Sequence, residues 1–229
     1  MKNTLINKEI IKKVASALGD LNDEVIYVGG ATVSLYINDP AADDVRPTKD
    51  IDISLQILSI PQLEEVRQLL IEKGFIQSAD LGVICRFQLD DVLVDVMSTK
   101  AVGWAPANPW FAKGFDLRET VMVDDIKIQI MPLPYFVASK FSAFKDRGGN
   151  DPRLSKDLED ITYVLDNRTD WHEILANSSK EVKDFLQTCL EEILESAQLQ
   201  EAVMGFMFYD GQSERFEMIK KKIQFILNN

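Results

Sequence analysis

Positive charge is short in this 229-residue sequence: 25 Lys and Arg stand against 37 Asp and Glu, a formal net charge of −12. Extended binding to nucleic acid needs clustered basic residues that release counterions from phosphates, so bulk charge argues against it. A local basic patch beside a site remains compatible with that balance. Sulfur and imidazole are scarce as well. Cys85 falls in a strand-like pattern and Cys189 in a helical one. They read as buried thiols rather than a bridge, which suits a cytoplasmic protein. The single histidine, His172, lies in a helical pattern beside Trp171 and reads as packing, so histidine-based acid–base chemistry is not expected. No run of about 18 apolar residues exists, so no membrane span is expected. The first residues, MKNTLINKEIIKK, are charged and helical in pattern and lack the apolar block of a signal peptide. Repeats and low-complexity tracts are absent. What is present is an apolar fraction of 46%, enough to build a core for one large or two small domains.

The stretch from Tyr27 to Ile53, YVGGATVSLYINDPAADDVRPTKDIDI, organises the rest. An apolar strand pattern ends in Gly29-Gly30, a short helical pattern follows, and after a polar loop Thr48-Lys49-Asp50-Ile51-Asp52-Ile53 opens a second alternation. Paired glycines at a strand-to-helix turn let backbone amides approach a phosphate. Aspartates one residue apart on a strand share a face. They suit Mg²⁺, which takes one or two carboxylates together with phosphate oxygens. On the Asp-x-Asp pattern alone a solvated strand face is the commoner meaning, with Ile51 and Ile53 in the core. The glycine turn upstream, in this order, favours a site.

In that order of Gly-Gly, helix, loop and Asp-x-Asp, the sequence resembles the nucleotidyltransferases of the DNA polymerase β superfamily. The resemblance implies that the Gly29-Gly30 turn holds a triphosphate and that Asp50 and Asp52 hold Mg²⁺ or Mn²⁺. It also implies a third carboxylate later in the chain. Asp95, alone among Val92, Val94 and Val96, sits where such a group belongs, since a lone carboxylate in an apolar strand needs a partner. Arg86 on the preceding arm faces either this carboxylate as a salt bridge or the nucleotide. Thr48, Lys49 and Arg86 join Gly29 and Gly30 as candidates for nucleotide binding.

Along the chain, residues 6–18 predict a helix, 24–28 a strand, 31–37 a short helix and 51–57 a strand. Pro61 and Gly74 bracket a further amphipathic helix. GVICRFQL and VLVDVMS predict a hairpin about Asp90-Asp91, and ETVMVDDIKIQI a second about Asp124-Asp125. The sheet is expected to be mixed, with five or six strands. Residues 98–118 read as a packed loop in which Trp104, Trp110 and Phe111 either plug the domain or stack on a base. Pro132 marks a boundary, after which helices are expected at 135–147, 152–165, 171–177, 179–196, 198–208 and 213–227. The division is residues 1–131 as an α/β nucleotidyltransferase domain and 132–229 as a helical domain.

Residues 139–168, SKFSAFKDRGGNDPRLSKDLEDITYVLDNR, resemble the downstream motifs of AbiEii-like nucleotidyltransferases, toxin members among them. That resemblance implies catalytic roles for Lys140 and for an aspartate on the next helix, Asp157 or Asp160, with Asp157 preferred. It places Arg147 among the groups that neutralise phosphate charge. The glycine turn departs from the Gly-Ser of many superfamily members, leaving Thr32 or Ser34 to supply a hydroxyl. The expected fold is α/β (α+β): a polymerase β-like domain with a mixed sheet plus a C-terminal helical domain. The expected activity is transfer of a nucleoside monophosphate from an NTP to an acceptor hydroxyl or phosphate. The acceptor is a small molecule or an RNA or protein hydroxyl, and an antitoxin partner is compatible with the resemblance. Alternatives are a tRNA-modifying toxin, an aminoglycoside-type antibiotic nucleotidyltransferase, and a catalytically silent regulatory protein of the same fold.

Overall fold

The computed structural model describes residues 2–77, 85–147 and 151–229. The chain forms two compact units, Met1–Thr32 with Asp44–Pro132, and Val33–Asp43 with Leu133–Asn229. The segment Val33–Asp43, which the sequence reading kept with the first domain, packs with the helices.

In the first unit, α1 (Lys2–Leu18) buries Ile11, Val14 and Leu18 at the predicted helical spacing, together with Asn7 and Ala15, while Ile6 is exposed. β1 (Val25–Val28) is buried along its whole length. The chain turns at Gly29 and runs on as a 3-10 segment, Gly30–Tyr36, where an α-helix was expected. β2 (Asp50–Leu55) follows, and then α2 (Ile60–Glu72), whose N-terminus Ser59 caps by accepting from the Gln62 amide. Next come β3 (Ile76–Gln77), β4 (Arg86–Leu89), β5 (Val92–Ser98), α3 (Phe111–Asp116), β6 (Glu119–Val123) and β7 (Ile126–Ile130). The early part of the predicted GVICRFQL strand lies outside the described residues.

Among the described residues the strands form one seven-stranded sheet in the order β3-β4-β5-β2-β1-β7-β6. β2 pairs with β5 in parallel and with β1 antiparallel, so the sheet is mixed as expected. β3 is the added strand. It has only two residues, one of them exposed, too short to show an alternation. Both hairpins close on an aspartate of positive φ, Asp90 at 51° and Asp124 at 54°, a conformation aspartate tolerates in tight turns. Neighbouring lysines on α1 reach these turns. Lys13 Nζ donates to Asp91 at 2.6 Å and Lys12 Nζ to Asp124 at 3.1 Å. The pairs are exposed and contribute little energy.

The segment before β6 is a plug. Trp110 and Phe111 are buried, and Trp104 stacks obliquely on Phe87 while its indole N–H donates to Glu64 at 3.4 Å. Aromatic side chains packed in this way serve the core rather than a base.

The second unit comprises α4 (Leu133–Arg147), a 3-10 turn at Pro152–Leu154, α5 (Lys156–Asn167), α6 (Trp171–Ala176), α7 (Lys180–Glu195), α8 (Ala197–Phe206) and α9 (Gln212–Leu227). Trp171 is fully buried and donates its indole N–H to the Leu165 carbonyl at 2.8 Å. Tyr36 stacks on Phe136 with centroids 4.2 Å apart, which anchors the Val33–Asp43 segment to α4. His172 packs edge-on against Trp171 and Phe225, and burial lowers its pKa, so the ring serves as packing.

Candidate functional site

The site grows out of strand alternation. On β2 Ile51, Ile53 and Leu55 are buried, while Asp50 and Asp52 are part-exposed on the other face. The parallel register of β2 and β5 sets Asp52 opposite Asp95, and the antiparallel register of β4 and β5 sets Asp95 opposite Arg86. Val28 of β1 completes the line opposite Asp52. One row across four strands therefore reads Arg86, Asp95, Asp52, Val28, with all these side chains on the same face. Asp50 stands on that face one step away. Three aspartates from two stretches of chain are thus brought to one patch.

The glycine turn belongs to the same patch. Gly29 follows Val28 with φ +77°, and a Cβ placed on it would lie 1.8 Å from Oδ2 of Asp52. The missing side chain is therefore filled by the Asp52 carboxylate. Only glycine meets both demands, the left-handed backbone and the close approach. Gly30 is buried at the start of the 3-10 segment. The Thr32 hydroxyl, one candidate to replace the absent serine, instead donates inward to the Gly29 carbonyl at 3.0 Å. It holds the turn. Ser34 Oγ is buried without a hydrogen-bond partner.

The carboxylates are differently held. Thr48 is buried and donates its hydroxyl to Asp50 Oδ1 at 2.6 Å, fixing that carboxylate where β2 begins. Lys49 is exposed. Arg86 grips Asp95 with two bonds, Nε to Oδ1 and Nη2 to Oδ2, both 2.6 Å, and Nη2 lies 3.9 Å from Asp50 Oδ2. Asp95 is only 8% exposed, and such a carboxylate needs the charge opposite it. The same hydrogen bonding to Asp95 raises the pKa of the already basic guanidinium. Among the described residues no three His, Cys, Asp or Glu side chains converge as a ready cage for a metal ion. In the row a guanidinium stands among the carboxylates and holds both oxygens of Asp95. The donor set nevertheless fits a hard cation in kind, being oxygen-only, acidic and already matched to a positive group.

The second unit holds the other predicted residues in one cluster, with Lys140, Asp157 and Asp160 buried and Arg147 exposed. Lys140 Nζ donates to Asp160 Oδ2 at 2.7 Å and to Asp157 Oδ1 at 3.4 Å. Arg147 donates to both oxygens of Asp157, at 2.9 and 3.1 Å. Asp157 and Asp160, alternatives by sequence, are both partners of Lys140. The burial of Asp157 raises its pKa, but the Arg147 hydrogen bonds and the nearby Lys140 charge outweigh this, and the carboxyl stays below the ordinary range. Sequence reasoning missed the Asp52–Gly29 approach and the double role of α5; a pair of acidic residues three apart on one helix was the only signal of the latter.

No protein-family model and no curated protein matches the chain. Among solved structures, an antigenic nucleotidyltransferase-like protein from Paracoccidioides brasiliensis is similar at 20% identity, over 87% of this chain and 92% of that one, with TM-score 0.50. The antibiotic-resistance factor ANT(2'')-Ia is similar at 12% identity over 83% of this chain and 95% of that one, with TM-score 0.48. The first likeness is one of fold alone: that protein shares the mixed-sheet α/β architecture built here.

Proposed function

We propose that the chain is a nucleotidyltransferase that moves a nucleoside monophosphate from an NTP to an acceptor oxygen and releases pyrophosphate. The observation that carries this reading is the row across β4, β5, β2 and β1, closed by a glycine turn that makes room for Asp52. The nucleotidyltransferase-like fold and the AbiEii-like motifs point the same way. In this reading Asp50, Asp52 and Asp95 hold Mg²⁺ or Mn²⁺, which when bound supplies charge neutralisation on the phosphates and lowers the pKa of the attacking oxygen. The acceptor oxygen forms a bond to the α-phosphorus, the bond to the β-phosphate bridge breaks, and pyrophosphate leaves with that electron pair. Asp95 takes the acceptor's proton on a carboxylate oxygen. The turn at Gly29-Gly30 lies against the triphosphate. Thr48 keeps Asp50 aimed at the patch.

Lys140, Arg147 and Asp157 enter differently. Lys140 is 6% exposed and bound by carboxylates, so its first task is to hold α4 to α5. The Arg147 side chain is 68% exposed and is the cluster member that solvent reaches. The acidic surface favours a small or cationic acceptor over a long nucleic acid, since few cations remain to hold a phosphate backbone. A toxin-like action on RNA ends, with an antitoxin partner, is the alternative within the same chemistry.

The test is incubation with each α-labelled NTP and Mg²⁺ or Mn²⁺ against pools of aminoglycosides, total RNA and protein. Transfer of label to one pool with release of pyrophosphate, lost in Asp50→Asn/Asp52→Asn, is the expected result. No transfer from any NTP to any pool removes the reading.

A further inference from the structure

The row that forms the site contains one cation of its own. Arg86 uses both nitrogens of its fork on both oxygens of Asp95, and the same Nη2 lies within reach of Asp50. The fork is the strongest geometry an arginine makes with a carboxylate, and lysine cannot reproduce it. Asp95 is nearly enclosed, and the guanidinium engages both of its oxygens. A guanidinium and a dication a few ångström apart on shared carboxylates repel each other strongly where water is scarce.

We propose that Arg86 is a competitor for the metal position: its guanidinium closes Asp95 against divalent cations, and metal enters only as Arg86 lets go. This rests on the nucleotidyl-transfer reading of the patch. The side chain has somewhere to go. Asp50, its second carboxylate neighbour, is 44% exposed in its side chain, so the patch is open to solvent on that side. A released guanidinium there faces the region where that reading sets the triphosphate, and phosphate oxygens offer it an equally good bidentate partner. Metal and nucleotide are then coupled, because each removes a cost from the other. Metal binding without nucleotide carries the penalty of a competent state that is only fractionally populated.

The experiment is a titration of Mn²⁺ alone, without nucleotide, into the full chain at low ionic strength, read by the electron paramagnetic resonance signal of free Mn²⁺. Arg86→Gln keeps length and polarity without the charge. Its Mn²⁺ affinity is expected to exceed that of the unsubstituted chain by about tenfold, the fraction expected if the fork is closed some nine-tenths of the time. Arg86→Lys, which keeps the charge but not the fork, falls between the two. It decides the matter alone if Arg86→Gln does not fold. In the unsubstituted chain the ¹⁵Nε–H resonance of Arg86 is expected to exchange slowly and to become solvent-like when diamagnetic Mg²⁺ saturates the site. Equal or weaker Mn²⁺ binding in both arginine variants, or an Arg86 resonance indifferent to Mg²⁺, overturns the proposal. Asp50→Asn/Asp52→Asn separates the two levels. If it loses Mn²⁺ while the arginine variants gain nothing, only the competition falls. If it binds Mn²⁺ as tightly as the unsubstituted chain, or if no variant binds at all, the metal patch falls and the competition with it.

Discussion

Gly29 and Asp52 share one side-chain space: the carboxylate oxygen of Asp52 lies 1.8 Å from where a Cβ on Gly29 would be. The contact joins the Gly29-Gly30 turn to the middle aspartate, so a side chain at position 29 must displace the Asp52 carboxylate. Gly29→Ala therefore meets two obstacles, a backbone at φ +77° and a carboxylate that must rotate away. A loss of about 1–3 kcal/mol of stability is expected, read by thermal melting. Loss of Mn²⁺ binding beyond what the lower stability explains is expected as well. Gly205→Ala is the control. Gly205 lies within α8, and a Cβ there meets nothing within 4 Å. That change should be neutral or stabilise by up to about 1 kcal/mol.

Lys140 is bound by Asp157 and Asp160, both buried. Removing the cation takes the Lys140 charge away from two enclosed carboxylates. Lys140→Met should cost about 3–5 kcal/mol, measured by chemical denaturation. Lys183→Ala, at a part-exposed lysine on α7, should change stability by less than about 0.5 kcal/mol. Equal effects would show that the cluster contributes no more than an exposed ion pair.

Acid should act through Asp157. Its pKa in the folded chain lies below the ordinary 3.8 because Arg147 and Lys140 outweigh burial. A carboxyl with a depressed folded value stabilises the fold fully above its unfolded pKa, and that contribution is lost as pH falls through the folded value. The gap in melting temperature between the unsubstituted chain and Asp157→Asn should hold from about pH 7 to 5 and shrink below about pH 4. A gap constant down to pH 3 would mean that the charge of Asp157 is not what stabilises the cluster.

Neither cysteine should react in the native state. Burial pushes the Cys189 thiol up to about 11, and burial followed by the Asp95 charge raises that of Cys85. Both are free and enclosed. At pH 8 iodoacetamide should label them only at the rate at which the chain opens, with mass spectrometry reading each site. Fast labelling of Cys85 alone would show that the approach to β4 opens independently of the rest.

Local pattern was enough for much of this. The stripe Ile11, Val14, Leu18 of α1, the Pro61 start of α2, the Asp90-Asp91 and Asp124-Asp125 turns and the helices beyond Pro132 all follow from periodicity and turn chemistry, which depend on near neighbours in the chain. The acidic alternation at Asp50 and Asp52 was equally legible, because strand period is a local property.

The tertiary structure decided the rest. Whether Asp95 joined Asp52 depended on parallel pairing of β2 with β5, and a slip of one residue would have turned it to the other face. That Arg86 pairs with Asp95 followed only from the register that placed the two opposite each other. The tighter 3-10 path after Gly29, the two-residue β3 and the pairing of Lys140 with both Asp157 and Asp160 likewise turned on packing. Sequence fixes which side chains an element can present, since that is set by backbone period. It does not fix which elements meet or in what register, because those are settled by long-range contacts whose free energies enter only once the chain has closed on itself.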